Sequence, residues 1–154
     1  MKKTLPLFFC LFFILLNENS RAQSTFSKVY TILQTKCTAG CHSGSSPSGN
    51  LNLSGTETNV YNAIVNVNPV NPEALGMAYK RVKPGYPHQS FLLKKINNYL
   101  DADNGLSSIY FGNNMPPYPN PPLTPYEIDL VASWIIHGAP QSGAPVNDQL
   151  ISDF

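Results

Sequence analysis

The segment Cys37-Thr38-Ala39-Gly40-Cys41-His42 limits this chain more than any other feature. It sets two thiols three residues apart, with a histidine directly after the second. Cys10 is the remaining cysteine, and it lies in an apolar N-terminal run, Leu5 to Leu16, that follows Met1-Lys2-Lys3. A basic start, a short apolar run and small residues at Ser20 and Ala22 describe a secretory signal peptide. Residues 1–22 are therefore expected to be removed on export, and the destination is periplasmic or extracellular. The apolar run is shorter than the ~20 residues a membrane span needs, and no second stretch is long enough. Export would leave Cys37 and Cys41 as the whole cysteine complement, so no multi-disulfide framework can staple the fold.

The remaining residues, about 132, suffice for one domain with one modest core. The full chain has 10 basic and 9 acidic side chains. Loss of Lys2, Lys3, Arg21 and Glu18 leaves seven and eight. That balance speaks against nucleic-acid binding, which needs a basic face.

Local pattern is helical. In 24–36, Phe26, Val29, Tyr30 and Leu33 fall at i, i+3, i+4 and i+7, with Ser24 or Thr25 as cap. Residues 57–67 form a second candidate helix with Val60, Ile64 and Val67 on one side, closed by Pro69 and Pro72. Residues 88–100 form a third, with Phe91, Leu92, Ile96 and Tyr99 or Leu100 inward. The fourth begins after Thr124. Pro125 suits its first position, Glu127 completes a capping box and Gly138 ends it. Its apolar stripe is Ile128, Val131, Trp134 and Ile135. Between the last two helices, residues 113–125 hold six of the chain's 14 prolines and read as a stiffened loop. Asp101 and Asp103 read as a polar turn. No alternating apolar run argues for a sheet. The expectation is an all-α domain over 23–140, about four helices with long Pro-rich loops, and a polar, loosely ordered tail over 141–154.

Three chemistries fit the cysteine pair. It can close a small disulfide loop, which stabilises little. It can contribute to a zinc site, with a further ligand from His88, His137 or a carboxylate. It can also carry haem through two thioethers, a role usually signalled by C-x-x-C-H. The haem role needs a histidine beside the second thiol, and His42 is there. It also needs a ligand on the opposite face. Met115 suits that place, because a thioether is a soft donor to haem iron and the following prolines stiffen its loop. Met77, His88 and His137 are weaker candidates. Arg81 is a candidate partner for haem propionates, since guanidinium pairs with carboxylate. Together with Lys80, Lys83, Lys94 and Lys95 it could also steer an acidic partner. The extra residue between the thiols is small, and Gly40 can take backbone angles that others resist.

Four segments in order strengthen the haem reading: "ILQTKCTAGCHSG", "GNLNLSGTETNVYNAIVNV", "RVKPGYPHQSFLLKKI" and "MPPYPNPPLTPYEIDLVASWIIHGA". In that order the chain resembles the single-haem cytochrome c domains of secreted bacterial proteins, including the planctomycete-type group. The resemblance covers most of residues 26–140, and the three-residue gap between the cysteines departs from it. It implies a cytochrome c-like fold around one covalent haem c, attached at Cys37 and Cys41. It also implies His42 and Met115 as axial ligands, and a role as electron carrier for a redox partner rather than as catalyst. Two other outcomes stay open. One is a haem enzyme or sensor with an open iron position. The other is a haem-free binding module with a Cys37–Cys41 disulfide.

Overall fold

The structure, a computed structural model, describes residues 23–97 and 112–147. The signal-peptide reading of 1–22, the inward places given to Tyr99 and Leu100, and the Asp101–Asp103 turn lie outside the described residues. Within them the chain is all-α: five α-helices and no strand. None of these helices is long and apolar enough to cross a membrane.

Helix α1 spans Thr25–Cys37. Ser24 caps it, its hydroxyl accepting the Ser27 N–H at 3.0 Å. Phe26, Val29 and Leu33 of the expected face are buried, joined by Ile32 and Cys37, while Tyr30 is half-buried. Helix α2, Glu57–Ile64, is capped by Thr56 and buries Val60 and Ile64. It stops three residues before the expected end. Val65 turns extended there and pairs with Val82 in a parallel bridge; a β-branched residue loses little by that exchange. Helix α3, Pro72–Gly76, is one short helix more than expected. Asn71 caps it and Pro72 opens it rather than closing the helix before it. Five residues show too little of a 3.6-residue repeat to be legible.

Helix α4 spans Phe91–Ile96, not 88–100. Residues 87–89 make a separate 3-10 turn. Ser90 breaks the two apart. It is fully buried and extended, its hydroxyl accepts the Lys83 N–H at 2.9 Å and donates to the Tyr86 carbonyl at 3.0 Å. Leu93 and Ile96 face the main core, while Phe91 and Leu92 are half-buried. Helix α5 spans Pro125–Ile136 and has the expected capping box. The Thr124 hydroxyl accepts the Glu127 N–H at 3.2 Å, and the Glu127 carboxylate accepts the Thr124 N–H at 2.7 Å. Gly138, at φ +89°, releases the chain from the helix.

The core is the crossing of α1 and α5. Trp134 is fully buried, with its ring centroid 5.2 Å from that of Phe26; Phe26 meets Tyr61 edge-on at 5.0 Å. Such aromatic contacts add to area burial. The Trp134 indole N–H donates to the Pro140 carbonyl at 2.9 Å, so the one polar atom of that ring is satisfied. Past Pro140 the described residues run on to 147. Thr25 N–H donates to the Gly143 carbonyl at 3.0 Å, and Val146 is buried in the same core. Residues 141–147 thus close over the start of α1.

Candidate functional site

Helix α1 delivers Cys37 as its last residue. The chain then folds back on itself. His42 N–H donates to the Cys37 carbonyl and Cys41 N–H to that of Thr38, both at 3.3 Å. Gly40 allows this turn with φ +73°. The three-residue gap is thus absorbed in a closed turn that returns His42 to the side of Cys37. From there Leu53 N–H reaches the His42 carbonyl at 2.8 Å, and Ser48 N–H reaches that of Cys41 at the same distance. The Gln34 side-chain amide donates to the Leu53 carbonyl, tying this loop to α1.

Cys37, His42 and Met115 line one cavity of about 330 Å³. Its walls are mainly apolar and include Leu33, Leu53, Ile64, Phe91, Leu92 and Ile96. Arg81 and Lys95 supply its cationic lining. Cys41 lines an adjoining cavity of about 100 Å³, which also touches Cys37, His42 and Met115 and is walled by Pro116, Pro117 and Pro121. Cys37, Cys41, His42, Arg81 and Met115 therefore each border one or both of these two adjoining cavities. The other candidate ligands do not. His88 and His137 are exposed, and Met77 is half exposed on the end of α3. His137 is occupied as a helix cap, its Nδ1 lying 2.8 Å from the Ser133 carbonyl.

The His42 ring is oriented by the backbone. Its Nδ1 lies 3.2 Å from the Leu51 carbonyl. A carbonyl can only accept, so Nδ1 is the donor in this contact and Nε2 is the ring nitrogen left to face a ligand. No side chain signals this partner. The trace in the sequence is the Gly49-Asn50-Leu51-Asn52-Leu53 turn, whose Leu53 is buried and so pins the loop beside the ring.

Cys37 and Cys41 are free thiols. Burial pushes the Cys37 thiol up to about 11, reinforced by Cys41 and Glu127 and opposed by Lys36. At neutral pH it is a neutral, apolar-facing thiol, unlike the exposed thiolates of reactive cysteines. Among the described residues no three His, Cys, Asp or Glu side chains gather as a metal site, so the tetrahedral donor set of a structural zinc is not assembled there.

Arg81 is neither a solvated arginine nor free to serve a ligand with its whole fork. Residues 80–82 run extended between two neighbours. Arg81 N–H donates to the Val67 carbonyl at 2.7 Å, and Phe91 N–H to that of Lys80 at 2.8 Å. This holds Arg81 at the cavity. Its Nη1 donates to the Ala63 carbonyl at 2.9 Å, and its Nη2 to those of Gly49 and Asn50 at 3.0 and 3.2 Å. Burial lowers its pKa. The guanidinium joins the end of α2 to the loop that carries Leu51, and so it braces the wall that orients His42.

Met115 enters from the far side of the sequence. Its N–H donates to the Lys95 carbonyl at 2.6 Å, and Pro116 and Pro117 follow with fixed φ.

No family model, no curated protein and no solved structure matches this chain.

Proposed function

We propose that the chain is an exported mono-haem c-type cytochrome that carries electrons. The observation that carries this reading is the shared cavity of Cys37, His42 and Met115. Met115 lies far in sequence from Cys37 and His42, yet the three supply a thiol, an imidazole and a thioether around one apolar space. At about 330 Å³, and continuous in its lining with the smaller cavity at Cys41, the space is of the size used by cofactor sites, roughly 300–1,000 Å³. The donor set fits a haem better than a zinc ion, which favours several thiolate or imidazole ligands.

In this reading Cys37 and Cys41 would hold the group by thioethers, and His42 and Met115 would ligate its iron. The bound haem would supply one-electron chemistry at a potential raised by His/Met ligation. Leu33, Ile64, Phe91, Leu92 and Ile96 exclude water from it. Arg81 keeps a positive charge at the rim, where propionates would favour it, although three of its bonds already go to backbone. With His42 and Met115 both ligating, no iron site would be left for a substrate, so the proposed role is transfer rather than catalysis. The helical arrangement would then be of the cytochrome c type, and a redox partner would dock at the cavity mouth.

A pyridine haemochrome spectrum tests this, on mature chain exported alongside a cytochrome c maturation system. One haem c per chain, surviving acid–acetone extraction, is expected. A folded, colourless protein with Cys37 and Cys41 joined as a disulfide would replace the reading with a haem-free binding module. In the ferric protein a sulfur-to-iron charge-transfer band separates the Met115-ligated carrier from an open-site enzyme or sensor.

A further inference from the structure

We propose that Lys95 is the positioning residue that holds Met115 at the cavity, gripping its loop at two points. This inference rests on the function proposed above and concerns how that site keeps its distal ligand.

The two grips are of different kinds. The first is backbone. The Lys95 carbonyl belongs to the last turn of α4, where helix carbonyls lack intrahelical donors, and it accepts the Met115 N–H at 2.6 Å. The second is the side chain. The Lys95 ammonium donates to the carbonyl of Asn113, two residues before Met115. A charged donor makes this stronger than a neutral bond. Gly112 adds local evidence of close approach. It has φ +72°, and a Cβ there would stand 3.6 Å from the Lys95 Nζ. The ammonium is also held over the Phe91 ring, 5.8 Å from its centroid, so its position is supported from α4 itself.

The geometry makes the lysine specific. Any residue at 95 offers the carbonyl, but only a long cationic side chain also reaches back to Asn113. Residues 113 and 115 are then fixed to one residue of α4, while Pro116 and Pro117 restrict the chain beyond. Met115 gains a defined place in the cavity that His42 also lines, although its loop has no regular structure. The lysine therefore acts through Met115 and not on the iron.

The test compares the mature chain with Lys95→Met, which keeps the stem and removes the charge, and Lys95→Arg, which keeps a cationic donor. Lys95→Gln serves as a second neutral variant. The first readout is hydrogen exchange of the Met115 amide. The second is the affinity of the haem-loaded ferric protein for added imidazole, which competes with Met115 for the iron. Both neutral variants are expected to exchange the Met115 amide about tenfold faster and to bind imidazole about tenfold tighter. Lys95→Arg is expected to stay near the parent in both, and amides of α1 and α5 are expected to be unchanged in all. Unchanged Met115 exchange and imidazole affinity in both neutral variants would overturn the proposal while leaving the haem reading intact. If the parent chain takes up no haem, the functional reading fails, and Met115 exchange alone still decides whether Lys95 holds this loop.

Discussion

The two walls of the cavity are built in opposite ways. The thiol wall is contiguous: Cys37 ends α1, and a closed six-residue turn brings His42 back beside it. Its side chains are placed by a helix already anchored through Phe26, Val29 and Leu33 in the core. The methionine wall is a proline-rich loop with no helix of its own, and its place comes from bonds to Lys95, 20 residues earlier in the sequence. The first wall inherits rigidity from the core. The second is held at Met115 by polar contacts to Lys95 and at its far end by Leu123, which is buried in the core; a loop end held by polar contacts opens at lower free energy than the core.

The largest test of this contrast is all-or-none. Cys37→Ser with Cys41→Ser is expected to abolish pigment that survives acid–acetone. Met115→Ala is expected to keep the pigment at one haem per chain and lose only the sulfur-to-iron band. Equal loss of pigment from both variants would mean that the two walls are equally necessary for assembly.

Next comes a substitution in the support of the thiol wall. Leu33→Ala, beneath the thiol wall, removes a fully buried side chain and is expected to cost about 2–5 kcal/mol in denaturant unfolding. A cost below 1 kcal/mol would show that α1 does not transmit core packing to this wall.

A smaller effect separates free thiol from thioether. The folded Cys37 thiol is raised to about 11 from an ordinary value of 9.0. The folded state therefore holds its proton more tightly than the unfolded chain does. Below pH 9 both states are protonated, and the full stability is present. As pH rises from about 9 to 11, the unfolded state releases the proton first, and stability falls by about 2–3 kcal/mol. Haem-free protein is expected to show this alkaline loss in unfolding curves. Haem-loaded protein, with Cys37 as a thioether, is expected to lack it, and an identical loss in both forms would argue against attachment at Cys37.

The smallest effect belongs to the outer face of the methionine wall. Tyr118 is 96% exposed, and Tyr118→Ala is expected to change unfolding free energy by less than about 0.5 kcal/mol. A larger change would mean that the loop is packed more firmly than its few contacts suggest.

Legibility in the sequence followed the range of each interaction. The four expected helices are present because their signals are local: apolar residues at 26, 29, 30 and 33 share one face, and Thr124 and Glu127 cap each other across three residues. Their bounds shifted where distant partners intervened. Val65 left α2 to pair with Val82, and Ser90 was drawn into the 80–90 loop before α4 could begin. In the described part of the tail, polarity gave no sign of its one buried side chain, Val146. Lys95 read as one member of a basic run, and its grip on the 113–115 loop depends on a contact that no spacing rule contains. Charge made Arg81 a candidate partner for propionates, and its bonds to three backbone carbonyls have no counterpart in the sequence pattern.

By itself the sequence determined the all-α class, the helix caps, and the order of two thiols and a histidine at the end of a helix. These follow from periodicity and from chemistry within a few residues. Tertiary structure decided which atoms face the cavity: the Leu51 carbonyl that sets the His42 tautomer, the Lys95 grip that brings Met115 across, and the Arg81 brace. Each joins residues separated by many positions, and a backbone carbonyl has the same identity at every residue. Its direction exists only once the chain has folded.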